Sequence, residues 1–478
     1  MTQALLALWA LLIAVVGVLR PRWLVPTAII MSVFEGAALF KAGGFGVSPY
    51  YLTLILIALR CVVVPTSLST LFGPTPAARR AVGTAMVFAG VCVAGAVVLP
   101  RVFAGMPVLS PRLSEAGTAS LSFSNSNIGQ AVYLLLNVAL LWYVAHPPQS
   151  AEAARSATTA VMTAGIVVVG LALYQIAAAF TGLPFPDDLL YSNDGYVIQN
   201  GTVVLNMPRI SSTFTEPAGM AVFGVAFVAL LTGPSNWAGR MAAARVPLLA
   251  ATVAVMLLST SSTAYVGLAA VGAWRLGAAL VIPILQGRPN FKSIVAAIAG
   301  VVVVCGVIAV TPALQDLLRT MVLEKDQSSS YDERSGANTH SWQLALDTLG
   351  LGTGLGSNRA SSLLPSLLST TGVAGLVLLT ALVVVLLRRP INPFWRPAHA
   401  AMSSALIGIL IAKLLSSPDL STPSLWAVMA ALLATHVVAP AAVPQIEMIV
   451  EAEVPEAPRP RRRFVESSLS PTTSGAGV

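Results

Sequence analysis

Two polar stretches carry the side chains with the chemistry of interest: Arg209 and Glu216 in the first, Glu333, Arg334, His340 and Arg359 in the second. A guanidinium presents a planar fork of donors that matches the oxygens of an anion. A carboxylate or an imidazole can take a proton from an attacking hydroxyl. Plainer roles are also open. Thr215 or Ser212 could cap the helix that starts at Glu216-Pro217, with Glu216 in its first turn and Pro217 where a missing N–H costs nothing. Arg209 could serve as an interfacial anchor. The run GLGTGLGSNR (Gly350 to Arg359) superficially suggests a nucleotide loop, yet it lacks the GK[ST] ending and follows no strand. It reads as a tight backbone turn leading into Ser357, Arg359 and the next helix.

Metal and cofactor chemistry finds little support. Asp187-Asp188, Asp194 and Asp332-Glu333 offer oxygen donors without a metal-specific spacing. The four histidines are scattered with no HExxH, and Cys61, Cys92 and Cys305 each sit in an apolar run, which excludes a disulfide framework and a thiolate zinc site. No cofactor is expected and no metal site is assigned, with metal dependence left open.

The elements that must position these residues follow from composition. Of 478 residues 56% are hydrophobic and 10% charged, with a mean hydropathy of +0.81. A soluble globular protein carries roughly 25% charged residues, so a single soluble domain is excluded. An all-α, polytopic membrane protein remains, with thirteen apolar runs near the ~20 residues that cross a hydrocarbon core. They are 2–19, 23–40, 48–70, 81–99, 127–145, 157–180, 215–232, 246–260, 263–285, 293–311, 363–387, 399–416 and 424–439, making residues 1–439 the transmembrane domain. A single kinked segment near Ser259–Thr263 would reduce the count to twelve. The first run has no basic leader or small-residue cleavage site and reads as a retained span.

Basic residues set the orientation. Alternate loops and the tail hold 17 of the 27 lysines and arginines, among them Arg20, Arg22, Arg79, Arg80, Arg245, Arg388 and Arg389. That side is cytoplasmic by the positive-inside rule. The net charge of +8 is therefore topological, and nucleic acid is not an expected partner. Residues 440–478, rich in proline and ending in Thr, Ser and Gly, read as a disordered cytoplasmic tail whose RPRRR run rests near anionic lipid. Three external stretches are long, roughly 100–126, 181–214 and 312–362, and loops of that length are commonly functional or disordered. Within the third, Gln343 to Leu349 reads as a short amphipathic helix on the membrane surface, preceded by Arg334 and His340.

Charges inside apolar runs are functional hypotheses by default. Here they are Glu35, Arg60 and Lys413. Arg60 and Glu35 read as a structural pair. Lys413, about one turn from the external end, either snorkels or points into an external cavity. Ser261-Ser262-Thr263 near Tyr265 could bind a sugar or simply satisfy a helix end.

Five segments occur together: SFSNSNIGQAVYLLLN (122–137), PRISSTFTEPAGMA (208–221), LSTSSTAYVGL (258–268), YDERSGANTHSWQLAL (331–346) and GLGTGLGSNRASSLLPSLLSTTGVAGL (350–376). Their succession resembles the bacterial O-antigen polymerase and O-antigen ligase superfamily, which includes exopolysaccharide polymerases. The resemblance implies a lipid-dependent membrane glycosyltransferase of the cytoplasmic (inner) membrane. Such enzymes take glycan from an undecaprenyl-pyrophosphate carrier on the outer face and pass it to a glycan or lipid acceptor, alongside other polysaccharide-assembly proteins. Arg209 and Arg334 occupy positions matching the family's pyrophosphate-binding arginines, with Arg359 a third candidate. His340 stands roughly where ligases carry an essential histidine, although its flanking residues differ from theirs.

Pyrophosphate departure develops negative charge that two guanidinium forks suit. Glu216 is the first candidate base, and His340 and Glu333 compete with it. The alternative is a transporter or flippase of lipid-linked glycans. A flippase would spread basic residues along a central cavity, whereas here the ionisable residues collect in two loops on one face.

Overall fold

The computed structural model describes residues 2–42, 45–63, 73, 75–109, 117–146, 149–193, 198, 203–204, 207–233, 239–285, 329–390 and 392–437, and positions 291, 295, 315 and 319. The expected span 293–311 and the tail 440–478 therefore lie outside the described residues, apart from Val295 in the former. The chain is mostly helical, and among the described residues six helices are long and apolar enough to cross a membrane: Thr2–Leu19, Pro76–Val102, Asn125–Val144, Glu152–Thr181, Ser262–Val281 and Pro393–Leu415. These mark it as a membrane protein.

In chain order the elements are α1 (Thr2–Leu19), α2 (Leu24–Met31), the hairpin β1 (Phe40–Ala42) and β2 (Phe45–Val47), α3 (Pro49–Val63), α4 (Pro76–Val102), and the hairpin β3 (Pro107–Leu109) and β4 (Thr118–Ser120). Then come α5 (Asn125–Val144), α6 (Gln149–Thr181), α7 (Asp187–Leu190), the short pair β5 (Val203–Val204) and β6 (Met207–Pro208), α8 (Pro217–Thr232), α9 (Gly239–Leu258) and α10 (Ser262–Leu285). The remainder comprises α11 (Ser329–Asp347), α12 (Leu363–Thr370), α13 (Gly372–Leu387), α14 (Arg396–Leu415) and α15 (Pro423–Val437).

Two helices form the centre. Every residue of α15 is buried, and so is nearly all of α8. A helix apolar on all sides either faces lipid or is buried within the protein, and these two are buried. For α15 the cover comes from α2, α4, α5, α6, α13 and α14, and for α8 chiefly from α14, α10 and α9. Small residues allow the close approach that membrane helices favour: a Cβ on Gly408 of α14 would meet the Ala226 Cα of α8 at 2.9 Å. Outward, Leu8, Leu11 and Leu12 of α1, Val97 and Val98 of α4 and Val373 and Val377 of α13 are exposed. That apolar exterior fits hydrocarbon rather than water.

The bundle has two unlike ends. One, the basic end, gathers Arg20, Arg60 and Arg388 at helix termini, with Arg245 and Arg275 reaching the end of α8 from within α9 and α10. The other, the loop end, carries the β1–β2 and β3–β4 hairpins, the segment before α8, and α11 with the glycine turn after it.

Three sequence expectations need correction. The run 23–40 is not one span: helix ends at Met31, and the chain turns through Ser32 to Leu39 because a distant segment supplies its backbone partners, with Gly36 N–H donating to Thr213 O at 3.0 Å and Asn193 N–H to Gly36 O at 3.0 Å. Glu35 lies in that turn at the loop end. Arg60 is not its partner. Eleven residues along α3 from Pro49, about 16 Å at the helical rise, it donates to Val18 O at the basic end, 3.4 Å away. Finally, the short amphipathic helix expected at Gln343–Leu349 is the end of α11, a largely polar helix of nineteen residues that also includes Arg334 and His340.

Candidate functional site

The segment Arg209 to Glu216 enters the bundle at the loop end without helical structure. Its polar groups are met one by one. The Gln175 side-chain oxygen accepts from Ser211 N–H (3.1 Å) and Ser212 N–H (2.9 Å). Ser212 Oγ donates to Val168 O at 2.8 Å, and its own carbonyl accepts from the Tyr191 hydroxyl at 2.8 Å. Thr213 Oγ1 donates to Val33 O. Ser212 holds φ at +55°, a left-handed conformation unusual for serine, fixed here by its three partners Gln175, Val168 and Tyr191.

Glu216 then occupies the N-cap position of α8 with extended backbone (φ −148°, ψ 157°) and Pro217 directly after it. No side chain makes the capping bond, so Thr215 and Ser212 are not the caps and Glu216 does not lie in the first turn. A half-buried carboxylate stands at a helix N-terminus, where the helix dipole favours its charge. Arg209, also half-buried, interacts electrostatically with both Glu216 and Arg334. Burial holds the Arg209 guanidinium below its ordinary pKa; Glu216 opposes that shift and Arg334 adds to it.

Arg334 reaches the same place from above. It lies on α11 and its Nη1 donates to Ser416 Oγ at 3.5 Å, in the loop joining α14 to α15. That loop wraps the ammonium of Lys413, which is fully buried. Its carboxylate, on Asp419, is hydrogen-bonded by Gln130; burial pushes its pKa up from the ordinary carboxylate value, with Lys413 and Gln130 opposing. Glu35 closes the group. A Cβ on Gly219, in the first turn of α8, would lie 3.6 Å from Glu35 Oε2, and Glu35 interacts electrostatically with Asp419, Lys413 and Glu216. Beside it a small cavity is lined by Ser48, Tyr51, Tyr133, Asn193 and Pro423. Six charged side chains at one end of the bundle are thus linked by electrostatic interactions, three acids (Glu35, Glu216, Asp419) and three bases (Arg209, Arg334, Lys413).

No family model matches the chain, and no curated protein matches it. The site must be read from its own chemistry.

The structure divides the candidate residues. Arg209, Glu216 and Arg334 come together. His340 and Arg359 belong to a second region: His340 Nε2 is 3.2 Å from Pro107 O, and the backbone N–H of Arg359 donates to Leu109 O at 3.2 Å, both on β3. Six residues separate Arg334 from His340, so their side chains leave α11 about 120° apart. Glu333 is exposed on α11, as is Arg359 beyond the glycine turn. That turn is a packing device: a Cβ on Gly356 (φ +83°) would come within 2.7 Å of Ser126 O, and one on Gly354 (φ +98°) within 2.9 Å of Gly95 O. Asn127 and Asn358 then tie it down, Asn127 Nδ2 donating to Leu355 O (2.8 Å) and Asn358 Nδ2 to Ser341 Oγ (2.9 Å).

Other polar features resolve as helix-end chemistry. The Tyr265 hydroxyl donates to Leu257 O at 2.6 Å and Ser259 Oγ to Met256 O at 2.7 Å, which accounts for the polar junction between α9 and α10. Among the described residues no three of His, Cys, Asp and Glu converge where they could hold a metal ion; Asp194 lies outside the described residues.

Asp419 is the site residue that sequence reasoning missed. It is a lone acid in a seven-residue loop, with no spacing pattern to mark it. Glu35 and Lys413 were visible as costly charges in apolar runs, but nothing in the sequence joined them to Glu216.

Proposed function

We propose that this protein is a multi-pass glycosyltransferase of the bacterial cytoplasmic membrane, with twelve or thirteen spans. It polymerises or ligates undecaprenyl-pyrophosphate-linked oligosaccharide on the outer face. The observation that carries this reading is that Arg209 lies within electrostatic reach of both Arg334 and Glu216 at the mouth of an apolar bundle. Two half-buried guanidiniums in mutual repulsion form a site that a multiply charged anion relieves. An apolar exterior admits the carrier's hydrocarbon chain, so donor headgroup and charged site lie at one level.

In the reaction the sugar C1–O bond to pyrophosphate breaks and a bond from C1 to the acceptor hydroxyl oxygen forms. Arg209 and Arg334 hold the departing oxygens, and Glu216 takes the hydroxyl proton. The glycan arrives already activated, so no nucleotide site is required. The basic end faces the cytoplasm under the positive-inside rule, which leaves the charged cluster outside.

The test is conversion of a lipid-linked oligosaccharide by the purified protein, with donor binding followed separately. The expected product is a longer or transferred glycan with release of undecaprenyl pyrophosphate. Movement of intact donor across a vesicle bilayer without any transfer would replace this reading with a flippase. Orientation is checked by labelling cysteines at exposed positions. Asp332→Cys should react with an external membrane-impermeant reagent and Arg389→Cys should not; the reverse pattern overturns the assignment.

A further inference from the structure

Burying an ammonium costs several kcal/mol unless its donors are met, and apolar residues of similar volume can usually hold a loop at least as well. Lys413 is nevertheless fully buried, and its three donors all find partners: Ser417 Oγ (3.1 Å), Asp419 O (2.8 Å) and Thr422 Oγ1 (2.7 Å). Every partner lies in the seven residues between α14 and α15. Further bonds fasten the same loop from outside, the Tyr51 hydroxyl to Ser421 O (2.8 Å) and Trp426 Nε1 to Leu420 O (2.8 Å). The loop's first residue, Ser416, is the one that accepts from Arg334. The ammonium therefore sits at the hub of a rigid loop whose edge touches one of the two arginines, with Glu35 and Asp419 offsetting its charge.

We propose that Lys413 is a positioning residue for the transfer reaction: it fixes the 416–422 loop so that Ser416 aims the Arg334 guanidinium at the pyrophosphate of the donor. The inference rests on the glycosyl-transfer reading and adds a residue that touches neither donor nor acceptor.

A double-mutant cycle on the full-length protein tests it, with inorganic pyrophosphate as the probe. Lys413→Met should weaken binding about tenfold, the lower range for one lost hydrogen bond to a charged group. In a Ser416→Ala background the same change should cost less than about twofold, because the path to Arg334 is already cut. A purely structural lysine would impose the same factor in both backgrounds, and that result overturns the proposal while leaving the transfer reading intact. Failure of the parent protein to bind pyrophosphate overturns both. Should Lys413→Met not fold, Thr422→Val removes one acceptor and keeps the charge; its smaller loss must likewise vanish with Ser416→Ala, and equal losses in the two backgrounds overturn the proposal.

Discussion

Both ends of the bundle are furnished with arginines, but they use them differently. At the basic end the hydrogen bonds run to backbone carbonyls near helix C-termini: Arg60 to Val18 O, Arg245 to Leu231 O and Gly233 O, Arg275 to Ala229 O. The histidines there do the same, His436 Nε2 lying 2.9 Å from Leu386 O. Arg275 also lies over the Trp274 ring at 4.1 Å and interacts electrostatically with Arg245. These cations complete helix ends, where unpaired carbonyls and the dipole favour positive charge. At the loop end Arg209 and Arg334 meet carboxylates, a serine and each other. One residue type thus completes helix ends at one end and, on the proposed reading, binds an anion at the other, and the partner decides which.

That contrast orders the expected effects. The largest is at Glu216: Glu216→Gln should bind lipid-linked donor almost normally yet transfer glycan about 10²–10⁴-fold more slowly, as for loss of a general base. Its melting temperature should stay near the parent's, because the carboxylate makes no capping bond. A near-normal rate would return Glu216 to an electrostatic role at the helix end. Next come Arg209→Lys and Arg334→Lys, each keeping the charge and losing the fork, with transfer down about 10²–10³-fold. The matched change at the other end, Arg245→Lys, should alter transfer by less than about threefold. Equal losses at the two ends would erase the distinction between them.

Smaller effects are expected away from the cluster. His340→Ala and Glu333→Gln should each change transfer by under about threefold, since neither side chain is joined to Glu216. A loss above about 10²-fold at His340 would move the proton acceptor to the β3–β4 side of α11. The smallest effects are on stability, read by thermal unfolding. Gly356→Ala should destabilise by about 1–3 kcal/mol because φ is positive and the new Cβ meets Ser126 O. Gly336→Ala, in α11 with open space around it, should stabilise by about 0.5–1 kcal/mol.

Hydropathy made the long helices legible, because burial in hydrocarbon requires apolar runs of a given length. The expected span 2–19 coincides with α1, and 127–145 and 263–285 match α5 and α10 to within two residues at each end. It failed where backbone pairing rather than composition decides the structure. Residues 23–40 are apolar enough to span, but Thr213, some 180 positions away, takes the hydrogen bonds that would have continued α2. The run 363–387 is likewise divided, at Thr371, where Gly372 adopts φ +67°. Only the C-terminal end of α11, from Gln343, was legible; its polar earlier turns, which carry Arg334 and His340, have no apolar stripe to announce them. In the site, Arg209, Glu216 and Arg334 were legible from residue type and loop length. Their convergence with Glu35, Lys413 and Asp419 was not, since a cluster assembled from four separate segments leaves no local spacing to read.

The burial of α15 has a consequence for biosynthesis. It follows the other fourteen described helices in the chain, yet it is the one that six of them pack around. A ribosome that has delivered α1 to α14 has placed in the bilayer a ring with its centre missing, and α2, α4, α5 and α6 hold faces shaped for a helix still inside the exit tunnel. Assembly of the charged cluster waits as well, because Thr422 and the anchor at Trp426 arrive last. A chain terminated before Pro423 therefore loses not a peripheral segment but the axis of the molecule, and it should be cleared by membrane proteases even though more than nine-tenths of its helical residues have been made.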